Sequence, residues 1–581
     1  MREPLGAKTI SSLVADRARR SPDAVALCHR AGTAAWQPMT YAALASTVER
    51  LARALVGRGL KRGDRIAIFS RTRVEWLLVE LAAMSAGLVV VGLDRHAPGD
   101  TLARILDEAQ PSALFVDEPS ALAALPESSV AHMRLTVTGQ PTGEDPPSGI
   151  SSVDWSELLE ATDVANEQRP APAEDDEARS PTALLYTSGT TGVPKGILFR
   201  QMHLVAACQA ILAAFPMLAA SRGRTICWLP MAPLFQRMMN YVALAAGVTI
   251  YFVEDPAQLV TVAREVRPTY LIAVPRLFER LHGEIQERLS KLPRAFRGRS
   301  LDRDAREARA GVVERMSAAF VARAVRRTFG GRVEFVVTGS APMPVWLLQY
   351  FRRCGVLLLE AYGLSEDTVP IAANRLDAFR FGSVGKLFPQ NEVRFADDGE
   401  LLVRGPGLFD GYWSADGTDT SGFSADGFFA TGDIGVVDDD GFLYLTGRKS
   451  EVFKTSGGLR ISPSKVEAHY RKLPYIDQII VFGHGRAFVG ALVRVNPRLV
   501  QDSDGRDVTS SSDVRKLRAK VEADIAALGA ELPGHERIRR FELLERPFAL
   551  DRGEITPSLK LRRDTILRNY RELIDAMYGP Q

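Results

Sequence analysis

The sequence predicts an α/β protein: a large N-terminal domain of two α/β subdomains plus a small β-barrel-like subdomain, followed by a small C-terminal α/β domain. Three observations carry that prediction. Between residues 40 and 274 short apolar runs alternate with segments of helical hydrophobic period, the pattern of strands joined by crossover helices. Residues 333–447 hold short strand-like runs, rich in aromatics and broken by Asp-Gly turns. Beyond Arg448 a helical segment and a strand form a compact tail. At 581 residues the chain is also too long for one ordinary core.

Taken in order, residues 40–59 show apolar positions at helical spacing and 65–70 read as a short buried strand. A helix through 76–86 leads into the apolar run 87–93, and 113–117 is a further strand. Segments 141–149 and 169–181, rich in Pro, Gly and acidic residues, read as surface connections. The second unit has strands at 226–229, 249–252 and 270–274. Residues 284–327 are strongly charged and rich in arginine; they read as a solvated helical hairpin, the alternative being a membrane-facing or partner-binding surface. The third portion opens at 333–340 and continues through 399–405, 427–433 and 441–447. A helix at 463–473 and a strand at 479–482 follow. A boundary near Lys449 divides the chain into domains 1–449 and 450–581.

Composition excludes several classes. A 46% hydrophobic and 25% charged chain is that of a globular protein, and a net charge of +3 asks for no nucleic acid. No run approaches the roughly 20 apolar residues that span a bilayer, and residues 1–6 lack an apolar signal core, so a cytoplasmic location is expected. Peripheral membrane contact stays open, as does the oligomeric state. Cys28, Cys208, Cys227 and Cys354 are scattered without metal-ligand spacing and read as reduced, mostly buried residues.

The stretch 184–196, Leu-Leu-Tyr-Thr-Ser-Gly-Thr-Thr-Gly-Val-Pro-Lys-Gly, organises the rest. An apolar strand ends in hydroxyls and glycines, then passes through Lys195 towards an amphipathic segment at 203–218. Gly189 and Gly192 let backbone N–H groups close on anionic oxygens. Thr187, Ser188, Thr190 and Thr191 add hydroxyl donors, and Lys195 adds charge. The loop is read as a grip for a nucleoside triphosphate. It is not a Walker A loop, because Pro194 and Gly196 stand where that motif needs Gly and Ser/Thr. A flexible linker would not need this order after a strand.

The stretch resembles the signature of the adenylate-forming superfamily of acyl-CoA synthetases, luciferases and peptide-synthetase adenylation domains. Further motifs in the expected order extend the resemblance over nearly the whole chain: Gly339-Ser340-Ala341, Glu360-Ala361-Tyr362-Gly363-Leu364-Ser365-Glu366, Thr431-Gly-Asp433, Arg448 to Lys454 and Gly457-Gly458, and Pro557 to Arg563 around Lys560. The resemblance implies ATP and Mg²⁺, with CoA as co-substrate and a small-molecule acid as the other. Tyr362 would offer a ring face to adenine, Glu366 with Thr187 oxygen ligands to Mg²⁺, and Asp433 an acceptor for ribose hydroxyls supported by Arg448. Lys560 is the residue chosen as catalytic, an ammonium that offsets the repulsion between an attacking carboxylate and the α-phosphate. Leu559 stands where many relatives have glycine.

Segments 229–237, 274–280 and 405–413 and the arginine-rich insertion bring the chain nearest to bacterial long-chain fatty acyl-CoA synthetases. Such enzymes make an acyl adenylate and then swing a mobile C-terminal domain so that CoA thiolate attacks. Two positions depart: Pro233 replaces a usual histidine, and Ser450 stands where the hinge is commonly Asp or Lys. The leading expectation is therefore an acid:CoA ligase on a hydrophobic fatty or aryl-alkyl acid. Adenylation with a carrier protein, an amine or nitrite (diazotase-type chemistry) is the alternative, and an inactive nucleotide-binding scaffold the reading from another class. Trp228, Phe235, Met238 and Tyr241 suggest a hydrophobic acid, or are plain core.

Overall fold

The computed structural model describes residues 6–32, 34–139, 151–160, 174–187, 194–219, 223–290, 312–414, 417–496, 514–549, 551–555 and 561–579. Six parallel strands form the heart of a first, nine-stranded sheet. In spatial order they are Pro181–Thr187, Val89–Gly92, Arg65–Phe69, Ala113–Val116, Leu135–Thr138 and Ser151–Asp154. The central strands Val89–Gly92, Arg65–Phe69 and Ala113–Val116 are apolar on both faces, as a sheet covered by helices requires. The helix Tyr41–Gly57 starts where Thr40 Oγ1 accepts from the Ala43 N–H at 3.2 Å, and buries Leu44, Val48, Leu51 and Leu55 on one face. Helix Val74–Ser85 is buried almost all round.

Between the strand that leads into the 188–192 loop and the amphipathic segment expected at 203–218, the chain forms a further strand. Pro181–Thr187 turns back into an antiparallel strand, Lys195–Arg200, with Thr187 opposite Lys195, and only then does helix Gln201–Ala214 begin. The apolar run after Lys195 decides this: Ile197 and Phe199 alternate into the core and are fully buried. The helix dipole is thus removed from the loop by a six-residue strand, so any anion grip rests on the loop's own amides and hydroxyls and on Lys195.

The second nine-stranded sheet begins with three parallel strands, Tyr270–Ala273, Phe335–Thr338 and Leu358–Tyr362. It then continues antiparallel through Ala372–Ala373, Gly385–Leu387, Phe442–Arg448, Phe429–Val437, Glu400–Arg404 and Glu392–Phe395. The small β-rich unit therefore grows out of a parallel sheet. A four-stranded sheet joins Arg224–Cys227 and Thr249–Phe252 to the early pair Val25–His29 and Gln37–Thr40. The strand expected at 226–229 ends two residues early, because the Trp228 and Leu229 N–H groups donate to Gln236 Oε1 instead of a neighbouring strand. Of the charged stretch 284–327, helices Pro275–Ser290 and Val312–Thr328 cover the ends, and 291–311 lie outside the described residues.

The C-terminal portion has its own cores around Val466, Ile479, Val493 and Ile566, on a three-stranded sheet of Ile476–Phe482, Val489–Val495 and Ile538–Leu543. It touches the larger body where the Trp346 indole donates to the Arg471 carbonyl at 2.8 Å and Arg276 lies 3.3 Å from Asp477. Among the described residues no helix is long and apolar enough to cross a membrane.

Candidate active site

Two clusters stand on the strands that follow the sheets' C-terminal edges. In the first, the antiparallel ladder sets Asp433 opposite Arg448. Arg448 Nε lies 2.8 Å from Asp433 Oδ1, and the Tyr362 hydroxyl donates to Oδ2 at 2.6 Å. The Asp433 amide donates to Thr431 Oγ1 at 3.1 Å, which fixes the carboxylate's backbone. Burial and the Asp433 charge push the Tyr362 phenol far up, so it stays a donor. Burial pulls the Arg448 guanidinium down, but Asp433 and Tyr362 outweigh it and the net direction is up. Tyr362 is 9% exposed, so it buttresses Asp433 and leaves little ring face open for stacking.

The second cluster joins the two sheets. Strand Tyr412–Ser414 leaves the β-rich unit to pair with Lys195–Arg200, Tyr412 opposite Ile197 and Trp413 opposite Gly196. A Cβ on Gly196 would stand 3.2 Å from Leu184 Cδ1 and 3.4 Å from the Trp413 carbonyl, so glycine keeps this approach close. The Tyr412 hydroxyl donates to Glu366 Oε1 at 2.8 Å, and Lys195 Nζ lies 4.5 Å from the Tyr412 ring centroid. Tyr412 thus brings Glu366 beside Lys195 and, across the hairpin register, Thr187. Burial and the Glu366 charge raise the Tyr412 phenol. The 405–413 segment had pointed only to a family resemblance; its Gly-Tyr-Trp end was the available signal for Tyr412.

Between the clusters, Gly339-Ser340-Ala341 follows strand Phe335–Thr338. A Cβ on Gly339 would lie 3.1 Å from the Ala361 carbonyl, and Ser340 has φ +71°, a left-handed conformation uncommon outside glycine. Glu360 accepts from the Met343 N–H at 3.0 Å, tying this loop to the 360–366 motif. Burial pushes Glu360 up to about 7. Asp367 is also pushed up to about 7 by burial, against hydrogen bonds from the Val369 N–H and Asn391. Gly363 and Leu364 carry the chain from Tyr362 to a turn at Ser365 and Glu366.

Lys454 and the Gly457-Gly458 turn are held within the C-terminal portion. Lys454 is exposed, its carbonyl accepts from the Gly485 N–H, and Gly458 (φ +78°) donates to the Thr455 carbonyl at 2.9 Å. Ser188, Gly189, Thr190, Thr191, Gly192 and Lys560 lie outside the described residues. Pro233 precedes helix Leu234–Ala246, whose Gln236 caps the 228–229 amides and whose Arg237 is fully buried against Glu80. Trp228, Met238 and Tyr241 are buried and Phe235 partly so, packed in the main core.

Residues 14–413 match the family model described as AMP-binding enzyme, and residues 451–581 match its C-terminal domain. The chain belongs to the AMP-binding enzyme family. Long-chain-fatty-acid–CoA ligase FadD15 of Mycobacterium tuberculosis is 31% identical over 98% of this chain and 97% of the relative. Human long-chain-fatty-acid–CoA ligase 1 is 27% identical over 93% and 82%. Among solved structures, the adenylation domain of a Mycobacterium chelonae carboxylate reductase aligns with a TM-score of 0.76 at 23% identity, covering 98% of this chain and 91% of that one. The Bacillus subtilis o-succinylbenzoate CoA synthetase with its acyl-adenylate intermediate aligns at 0.67 and 20%, covering 97% and 98%. At these identities the solved structures speak for the fold.

Proposed function

We propose that the chain activates a hydrophobic carboxylic acid, of long-chain fatty or aryl-alkyl type, with ATP and passes the acyl group to CoA. The convergence of Glu366, Tyr412 and Lys195 at the junction of the two sheets is the observation that supports it most. A carboxylate oxygen attacks the α-phosphorus and pyrophosphate leaves; the CoA thiolate then attacks the acyl carbonyl carbon and AMP leaves. Asp433, held by Arg448 and Tyr362, has lone pairs left for the two ribose hydroxyls. Lys195 and the 188–192 loop hold the phosphates. Glu366 and Thr187 suit Mg²⁺, a hard cation that takes one or two carboxylate or hydroxyl oxygens alongside substrate phosphates. When bound it would neutralise triphosphate charge. Lys560 would offset charge as the carboxylate approaches.

The division into 1–449 and a mobile 450–581, hinged at Ser450, would let Lys454 and Gly457-Gly458 replace Lys560 at the site for the second step. The four buried thiols agree with a cytoplasmic enzyme. The test is purified protein with ATP, CoA and a panel of acids, following AMP, pyrophosphate and thioester. Absence of ATP–pyrophosphate exchange with every acid overturns adenylation, and the inactive-scaffold reading would then stand.

One observation favours a second reading. Pro233 offers no side-chain donor and no N–H at the start of helix Leu234–Ala246, where a histidine is usual in the resembling enzymes. A carrier protein, an amine, or nitrite with an aromatic amine would then replace CoA chemistry. Turnover that needs an amine or nitrite and ignores CoA supports that reading; strict CoA dependence removes it.

A further inference from the structure

Helix Leu234–Ala246 carries two polar ridges that are buried, not solvated. Gln236 with Asn240, and Arg237 with Tyr241, stand one turn apart and are at most 2% exposed. The second ridge meets Trp76 and Glu80 of helix Val74–Ser85, fully buried and likewise one turn apart. Arg237 Nε donates to Glu80 Oε1 at 2.5 Å, and its guanidinium lies 5.1 Å from the Trp76 ring centroid. Burial and the Glu80 charge push the Tyr241 phenol far up, so it stays a donor inside the cluster. The Trp76 indole N–H has no hydrogen-bond partner among the described residues. A buried ion pair is commonly no better for stability than apolar side chains of similar volume, so stability alone does not account for this one.

The first ridge passes that geometry to the chain just before the helix. Residues 228–233, Trp-Leu-Pro-Met-Ala-Pro, have few backbone N–H groups, because Pro230 and Pro233 have none. Those of Trp228 and Leu229 donate to Gln236 Oε1 at 3.4 and 3.2 Å, and Gln236 Nε2 donates in turn to Asn240 Oδ1 at 2.9 Å. Just beyond strand Arg65–Phe69, Thr72 Oγ1 donates to the Leu229 carbonyl at 2.9 Å. A Cβ on Gly92 would stand 3.1 Å from both the Cα and the carbonyl oxygen of Ala232, so the loop also lies on the end of strand Val89–Gly92. That strand is the parallel neighbour of Pro181–Thr187, with Val91 opposite Leu184. The loop thus crosses the carboxyl edge of the sheet beside the strand of the phosphate grip, the edge at which open α/β sheets bind their ligands. Its outer surface is apolar: Pro230 and Pro233 are exposed, and Ala232, Leu234 and Phe235 half-buried.

We propose that Glu80 and Arg237 are positioning residues: by pinning helix Leu234–Ala246 they hold the 228–233 loop across the sheet edge, and the loop's apolar rim sets how the acid seats beside Thr187. The seating of the acid rests on the proposed acid activation; the hold on the loop does not depend on it.

The test removes the pair without leaving a charge buried. Glu80→Leu combined with Arg237→Met should fold and melt within a few degrees of wild type. In hydrogen exchange followed by mass spectrometry, the amides of 228–232 should lose protection about tenfold while strand Val89–Gly92 keeps its own. In ATP–pyrophosphate exchange the KM for the acid should rise about tenfold, with the plateau rate and the KM for MgATP within about twofold of wild type. Gln236→Met leaves the pair intact and cuts the tie to the loop, and should reproduce both effects. A pair that serves stability alone would give a double variant with ordinary protection and an ordinary KM; that result, or a double variant that does not fold, overturns the proposal. Loosened amides with an unchanged KM for the acid overturn the link to the substrate. A wild type that exchanges pyrophosphate with no acid fails the proposed function instead, and the amide measurement then decides the hold on the loop by itself.

Discussion

The two clusters of the candidate site are built on different plans. Around Asp433, both carboxylate oxygens already have protein donors, from Arg448 and Tyr362, and the backbone is fixed by an antiparallel ladder. Around Glu366, one hydroxyl from Tyr412 is the direct bond, and among the described residues Lys195 makes no ion pair; its nearest partner is the face of an aromatic ring. The first is a finished socket and the second an unbalanced one. A neutral sugar needs acceptors held in place before it arrives, whereas a triphosphate with its metal brings its own charge, and a pocket that had already paired Lys195 would have to break that pair first.

That contrast can be broken at several points. Asp433→Ala should be the most damaging, leaving Arg448 and Tyr362 without their partner; loss of a buried, hydrogen-bonded charge costs about 3 kcal/mol or more, so ATP–pyrophosphate exchange should fall by at least a hundredfold, with weaker binding of AMP by calorimetry. Lys560→Ala should cost on the order of a hundredfold in adenylate formation while sparing acyl transfer from preformed adenylate. Equal loss in both half-reactions would remove Lys560 from the first step.

Tyr412→Phe keeps the ring under Lys195 and deletes the bond to Glu366. Its effect should be smaller, about tenfold, and should appear as a raised Mg²⁺ requirement for MgATP binding rather than a lower plateau rate. A fall in plateau with unchanged Mg²⁺ dependence would show that Tyr412 acts on something other than the metal ligand.

The mildest effect concerns pH. Burial raises Glu360 and Asp367 from ordinary carboxylate values to about 7. Their neutral forms are therefore the stable ones in the fold, so the stability they contribute is complete below about pH 4 and is lost as pH rises through about 7. The melting temperature of the wild type should fall between pH 5 and 8 by a few degrees more than that of Glu360→Gln/Asp367→Asn. Parallel melting curves for the two proteins would show that both carboxyls ionise freely.

Much of the fold was legible where one pattern dominated. Strand Thr249–Phe252 falls where its apolar run ends, and helix Tyr41–Gly57 within two residues of its amphipathic segment. Reading failed where a contact distant in sequence decides. Trp228 and Leu229 look like strand, but a side chain seven or eight residues on takes their amides. Lys195–Arg200 looks like the approach to a helix, but pairs back on its predecessor. The ordered motifs pointed to Asp433, Arg448 and Glu366, whereas Tyr412 gains its place only by crossing from one sheet to the other, which no local pattern encodes.

That crossing also constrains how the chain matures on the ribosome. Strand Lys195–Arg200 has Pro181–Thr187 on one side from the moment the hairpin forms, but its other edge waits for Tyr412–Ser414, more than two hundred residues later in synthesis. Until then the nascent chain exposes an unpaired edge beside the future phosphate grip, the kind of template on which strands of other molecules add. Closing so long a loop is slow, and a domain with this topology depends on protection from aggregation while it waits. A chain interrupted before residue 412 would keep most of its parallel sheet yet lack both the seal on that edge and the hydroxyl that holds Glu366.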